Sequence, residues 1–148
     1  MSAAQTSGNI AKCACGAAKL QLAAPPTNVI NCHCGQCRSF TGSAFTTWAS
    51  YPIGVVTVIG GEHLVQHSTP NGIRHFCKQC GTHLYAQDRR YESILGILAG
   101  TITAVIPSPT AHYFVSHKAS WHTIRDELPQ FGGESGFESL PLANADSA

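Results

Sequence analysis

Seven cysteines, arranged in three short clusters, constrain this 148-residue chain more than any other feature. The clusters are CACG at residues 13–16, CHCGQC at residues 32–37 and CKQCG at residues 77–81. Cysteines separated by one to four residues are common ligands of zinc, which binds thiolates in tetrahedral geometry. An odd number of cysteines also argues against complete disulfide pairing. The sequence therefore predicts metal sites and not a disulfide framework.

The first and third clusters share a property that the second cluster lacks. Gly16 and Gly81 each follow the second cysteine of a pair, where glycine permits the positive φ of a tight turn, whereas Arg38 follows the last cysteine of the second cluster. This difference favours a closed set of four cysteines and an open set of three. Structural zinc takes four protein ligands, whereas catalytic zinc takes three. The closed set is Cys13, Cys15, Cys77 and Cys80, and the open set is Cys32, Cys34 and Cys37.

Spacing alone permits a second division of the cysteines. The CxxC pair within the second cluster could join the CxxC pair of the third cluster in one four-cysteine site, which would leave the other three cysteines unassigned. A histidine could also complete the open set, and the candidates are His63, His67 and His83. His33 lies between two cysteines and is expected to point away from them, because alternate side chains of an extended segment face opposite sides.

Composition and charge argue against several classes of function. The net charge of +1 provides no basic surface for nucleic acid or for an anionic membrane. The longest apolar run, at residues 94–99, is far too short for a membrane span, which requires about 18 residues. The N-terminal residues lack the basic segment and apolar core of a secretory signal. A cytoplasmic location is therefore expected, whereas nothing in the sequence indicates the oligomeric state.

The pattern of apolar residues predicts a mainly β fold. Short runs of β-branched and aromatic residues alternate with Gly and Pro, and no segment of ten residues shows a helical period. Asn71-Gly72 predicts a hairpin within residues 63–85, and residues 38–42 are expected to form a short helical turn. The predicted organisation is a disordered N-terminus at 1–9, a single zinc-binding domain at 10–133 and a flexible tail at 134–148.

The order of the three clusters, followed by W-x-x-x-x-D-x-L-P-x-F from Trp121 to Phe131, resembles the family of glutathione-dependent formaldehyde-activating enzymes, which includes centromere protein V. The resemblance covers residues 12–133. It implies a β-tent fold, in which coiled β-sheets are joined by zinc. It also implies a structural zinc on the closed set, a catalytic zinc on the open set, and the joining of glutathione to formaldehyde as S-hydroxymethylglutathione.

The resemblance thus predicts a carbon–sulfur lyase or synthase in which a zinc-activated thiol, glutathione, adds to a small aldehyde. Zinc and three thiolates sum to a charge of −1, which favours a soft ligand such as another thiol. Arg38 is expected to bind a glutathione carboxylate through its guanidinium group. The alternative is a zinc-stabilised binding module without turnover. Four aromatic residues are assigned packing roles: Phe40, Phe45 and Trp48 in the core, and Trp121 as an anchor of the C-terminal segment.

Overall fold

The structure is a computed structural model that describes residues 9–142. The predicted mainly β fold is confirmed, because these residues form twelve short strands and one α-helix, α1 (Gly35–Thr41). The strands are β1 (Ile10–Lys12), β2 (Lys19–Leu22), β3 (Asn28–Cys32), β4 (Thr46–Pro52), β5 (Val56–Ile59), β6 (Leu64–Thr69), β7 (Gly72–Cys77), β8 (His83–Asp88), β9 (Ile94–Leu98), β10 (His112–Tyr113), β11 (Gln130–Gly132) and β12 (Glu138–Leu140). None of the helices formed by residues 9–142 is long and apolar enough to cross a membrane.

The described residues form two compact units that alternate along the chain. The first unit consists of residues 9–28 and 49–107, and the second consists of residues 29–48 and 108–142. The assignment of a single domain to residues 10–133 stays a prediction. The N-terminus was expected to be disordered, and its residues 1–8 lie outside the described part of the chain.

The first unit contains a three-stranded antiparallel sheet in the order β1-β2-β5. Leu20 and Leu22 of β2 are buried while Lys19 and Gln21 are exposed, which is the two-residue period of a strand with one apolar face. A second run of strands in this unit follows the order β9-β8-β7-β6, with each neighbouring pair antiparallel. The predicted hairpin is confirmed, because β6 and β7 pair up to Thr69 and Gly72 around the Asn-Gly turn.

The second unit contains α1, strands in the order β12-β11-β10-β3, and the first three residues of β4. The predicted helical turn is confirmed, and α1 ends at Thr41 with Gly42 as its C-cap, whose φ is 68°. Strand β10 lies parallel to β3, with Tyr113 opposite Cys32. Strand β10 ends at Tyr113. Phe114 adopts a φ of 58°, and its N–H donates to the carbonyl oxygen of Gly136, which turns the chain out of the strand.

Residues 134–142 include regular structure, and the expected flexibility of the tail at 134–148 stays a prediction. Strand β12 pairs antiparallel with β11, and the ring of Phe137 lies 5.5 Å from the ring of Tyr113 and 5.3 Å from that of Phe114. These aromatic contacts bury apolar surface that the Gly- and Ser-rich composition of the segment did not reveal. Trp121 was predicted to anchor this segment, but that prediction is wrong, because its side chain is 73% exposed. Residues 143–148 lie outside the described part of the chain.

Candidate metal sites

The closed set of cysteines comes together in the first unit, where all four sulfur atoms lie within 4.8 Å of one another. The Cys15 sulfur is 3.6 Å from the Cys13 sulfur and 3.7 Å from the Cys77 sulfur. A tetrahedral zinc with Zn–S bonds of about 2.3 Å requires S···S separations of about 3.8 Å. The measured separations fit that tetrahedron, and the donor set therefore fits a four-coordinate zinc.

Two glycine turns present the cysteines of this set. The Gly16 N–H donates to the Cys13 carbonyl oxygen at 3.0 Å, and the Gly81 N–H donates to the Cys77 carbonyl oxygen at 2.8 Å. Gly16 has a φ of 80° and Gly81 a φ of 79°, so the predicted positive φ is confirmed at both positions. One turn lies between β1 and β2 and the other between β7 and β8. The closed set therefore joins two turns that are far apart in sequence.

The four thiols of the closed set cannot all ionise at neutral pH without a cation. Hydrogen bonds from the side chain and backbone of Thr82 lower the pKa of Cys80 to about 5. A hydrogen bond from the Ala17 backbone acts to lower the pKa of Cys15. Desolvation and the three neighbouring sulfurs together outweigh this hydrogen bond and raise the pKa to about 11. A divalent cation would remove this conflict, since it stabilises every thiolate at once.

The open set comes together in the second unit, where its three sulfur atoms lie within 4.8 Å of one another. Cys32 ends β3, Cys34 is the N-cap of α1, and Cys37 lies in the first turn of that helix. Within residues 9–142, no further Cys, His, Asp or Glu ligand atom belongs to this group. The structure thus groups the cysteines as four and three, and not as two CxxC pairs. The three candidate histidines named above do not belong to the group.

The sulfurs of the open set differ in exposure and in hydrogen bonding. Cys32 and Cys37 are buried, whereas Cys34 is half-buried and provides the side of the set that solvent can reach. The Cys34 sulfur accepts a hydrogen bond from the Cys37 backbone N–H at 3.3 Å, and the Cys37 sulfur accepts one from the indole Nε1–H of Trp48 at 3.4 Å. The other two sulfurs, together with burial, raise the pKa of Cys32, which is the pattern expected of crowded thiols that lack a cation.

A chain of three polar side chains starts at buried His33, continues through buried His112 and ends at half-exposed Asp126. His33 Nε2 is 2.8 Å from His112 Nδ1, and His112 Nε2 is 3.0 Å from a carboxylate oxygen of Asp126. An ionised carboxylate only accepts, so His112 donates from Nε2. In the neutral form of the His112 ring, Nδ1 then accepts the proton of His33 Nε2. Burial, reinforced by the nearby His112 and His122, lowers the pKa of His33 to about 4, and this ring is therefore neutral at pH 7.

Three residues of this unit that contact the cysteine segment or its neighbours could not be recognised from the sequence. Trp48 was assigned to the core but is half-buried, as are Phe40 and Phe45. His112 carried no signal of its own, and Asp126 was recorded only as a member of the C-terminal motif. Arg38 donates to the carbonyl oxygens of His33 and His117, at 3.3 Å and 3.0 Å. Its role in binding a cosubstrate carboxylate stays a prediction.

Replacing Asp126 with Asn is expected to lower stability in a pH-dependent way. Burial opposes ionisation of Asp126, but hydrogen bonds from His112 and from the Leu128 N–H outweigh it, so its pKa in the folded state lies below the ordinary value. A depressed carboxylate pKa stabilises the fold above the unfolded-state pKa, and that contribution is lost as pH falls through the folded-state value. Because the side chain is half-exposed, we expect a loss of about 1 kcal/mol at pH 7, below the usual range for charged hydrogen bonds.

Urea unfolding of the wild type and the Asp126→Asn variant at a series of pH values measures this loss. The difference between the two proteins is expected to shrink as pH falls below about 4. Glu127→Gln is the matched control, because Glu127 is the adjacent exposed carboxylate. Identical pH profiles for both variants would show that the His112 contact does not stabilise the fold.

Comparison with known proteins identifies relatives of the chain. A sequence profile of the family described as "Glutathione-dependent formaldehyde-activating enzyme" matches residues 9–117. A curated relative from Halomonas elongata, named "Putative glutathione-dependent formaldehyde-activating enzyme", is 28% identical over 122 residues, which cover 76% of this chain and 78% of the relative.

A similar fold is also found among solved structures. The crystal structure of a Rhodobacter sphaeroides protein matches with a TM-score of 0.55 and 22% sequence identity. The match covers 66% of this chain and 91% of that protein. At this level of identity, the similarity demonstrates a shared fold.

Proposed function

The chain belongs to the family of glutathione-dependent formaldehyde-activating enzymes, and we propose from this membership that it is a zinc-dependent carbon–sulfur lyase or synthase. The proposed reaction adds a thiol, glutathione, to a small aldehyde. The observation that carries the proposal is the open set of cysteines. Its three sulfurs converge within 4.8 Å, no fourth ligand atom joins them within residues 9–142, and half-buried Cys34 leaves the set accessible.

Each cysteine set has a separate role in this proposal. The closed set would hold a structural zinc, because it offers four sulfurs at tetrahedral separations. Cys32, Cys34 and Cys37 would hold the catalytic zinc. When bound there, zinc would supply a position for one further soft ligand and would lower the pKa of a thiol placed in it.

The reaction needs no oxidant and no covalent enzyme intermediate. The thiol sulfur forms a bond to the aldehyde carbon, the C=O double bond becomes a C–O single bond, and the thiol proton ends on that oxygen. The reverse reaction is the lyase reaction. The chain's own residues hold two of the three sulfurs, those of Cys34 and Cys37, through N–H···S hydrogen bonds from the Cys37 backbone and the Trp48 indole.

Arg38 is the proposed contact for a glutathione carboxylate. Two of its N–H groups donate to backbone carbonyl oxygens, and these contacts hold the guanidinium group beside the segment that contains the open set. A guanidinium group carries five N–H donors, so the remaining N–H groups can bind a carboxylate.

The experiment that tests this function follows the formation and breakdown of thiol adducts across a panel of small aldehydes. Zinc-loaded wild type is compared with Cys37→Ser, with glutathione as the thiol. We expect the wild type to accelerate the reaction of at least one aldehyde at least tenfold over the variant. If wild type and variant are equal for every aldehyde, both matching the reaction without protein, the chain is instead a zinc-stabilised binding module.

A further inference from the structure

We propose that Trp48 is a positioning residue of the open cysteine set, acting through the Cys37 sulfur. This inference rests on the proposed function, because it concerns how the set holds a metal and an external thiol. Its basis is the hydrogen bond from the indole Nε1–H of Trp48 to the Cys37 sulfur, with a donor–acceptor distance of 3.4 Å.

The start of β4 is organised around Cys37. Thr46 and Trp48 are two residues apart in a strand and therefore face the same side, whereas Thr47 faces the other side, where its hydroxyl donates to the Asn31 side chain at 2.7 Å. The Thr46 hydroxyl donates to the Cys37 carbonyl oxygen at 3.2 Å. On this face of β4, Thr46 thus binds the main chain of Cys37 and Trp48 binds its sulfur.

A further contact comes from α1 itself. The Thr41 hydroxyl also donates to the Cys37 carbonyl oxygen, at 2.7 Å, and the Cys37 side chain is only 3% exposed. The Cys37 main chain is therefore held from two sides. The Cys34 sulfur accepts from a backbone N–H, which most substitutions would retain. The Cys37 sulfur accepts from the Trp48 indole N–H, which a single substitution removes.

The indole N–H has an electrostatic consequence for a metal bound at the open set. It withdraws negative charge from the Cys37 sulfur, and a zinc bound by three thiolates carries a net charge of −1. A fourth, external thiolate would make that charge −2. A donor at Cys37 stabilises the more negative state more strongly. We therefore expect Trp48 to favour binding of the thiol cosubstrate. By fixing the position of the Cys37 sulfur, the same hydrogen bond is expected to favour retention of the metal.

The test uses cobalt(II) as a spectroscopic probe at the open set, with zinc kept in the closed set. Outer contacts of this kind typically change metal affinity by about 10–100-fold, so we expect Trp48→Phe to weaken cobalt binding about tenfold in competition with a chelator. The sulfur-to-cobalt charge-transfer band should move to lower energy, because the Cys37 sulfur becomes more electron-rich. Trp121→Phe is the matched control, since the other tryptophan of the chain is 73% exposed.

A second variant separates the hydrogen bond from packing. In the Trp121→Phe background, Trp48 is replaced with 3-benzothienylalanine, which retains the shape of indole and has sulfur in place of the N–H. The inference requires the same band shift and affinity loss as in Trp48→Phe. A normal band and normal affinity in this variant would overturn it, as would an unchanged band in Trp48→Phe. If the open set of the wild type binds no cobalt, the proposed function is overturned together with the role of Trp48. If the wild type binds cobalt but the Trp48 variants behave normally, only the role of Trp48 is overturned.

Discussion

Cys13→Ser or Cys80→Ser is expected to give little soluble protein, whereas Cys37→Ser is expected to fold. The closed set joins the β1–β2 turn to the β7–β8 turn, and its ligands Cys15 and Cys77 are 62 residues apart in sequence. Structural zinc contributes about 10–16 kcal/mol in zinc-finger peptides, whereas a whole domain is stable by only about 5–15 kcal/mol. Losing one ligand of such a site therefore removes a large part of the total stability.

Soluble yield, circular dichroism and thermal unfolding measure this effect in the three variants. A loss of about 5 kcal/mol corresponds to a fall in Tm of about 10–20 °C for a chain of this size. Cys37→Ser is the matched control, since it makes the same chemical change in the other set. Equal solubility and equal Tm of all three variants would contradict the assignment of the closed set as structural.

Mild chelation is expected to abolish activity while the fold persists. The open set offers three protein ligands and includes half-buried Cys34, so a zinc bound there would be held by fewer bonds and could be reached by a chelator. The closed set offers four protein ligands. We therefore expect the zinc content to fall from about two to about one per chain, adduct-forming activity to fall to the level of Cys37→Ser, and added zinc to restore it.

Elemental analysis of zinc, the adduct assay and circular dichroism, applied to the same samples, test this order of metal loss. Cys37→Ser is expected to contain about one zinc before chelation and to lose none under the same conditions. Simultaneous loss of both zincs with unfolding would contradict separate roles for the two sets. Two zincs that resist chelation would instead indicate that both sets are scaffolds.

The grouping of the cysteines could be predicted although the closed set joins distant parts of the chain, because each of its two cysteine pairs lies on a turn with a local glycine signal. A glycine after the second cysteine of a pair closes a tight turn, and the positive φ of Gly16 and Gly81 follows from that requirement. The hairpin at Asn71-Gly72 and the C-cap of α1 at Gly42 are local in the same sense. Each of these features is determined by a few neighbouring residues, so the sequence shows it directly.

The contacts of the open set could not be predicted, because they join residues that are distant in sequence. Trp48 is a plausible core residue from composition alone, and only the placement of β4 brings its indole to Cys37. His33 meets His112 across 79 residues through the parallel pairing of β3 and β10. Parallel pairing of short strands leaves no turn signal in the sequence. The His112–Asp126 contact depends on residues 118–129, which form no helix or strand.

The position of Asp126 affects how this protein can be shortened or fused. The family profile ends at residue 117, and a clone terminated there would retain all seven cysteines. It would lose the carboxylate that orients His112, and with it the strand that lies parallel to β10 on the side away from β3. Expression boundaries drawn from the profile match would therefore retain all seven cysteines but remove the carboxylate partner of His112. We expect a stable segment to extend at least to Leu140, where β12 ends.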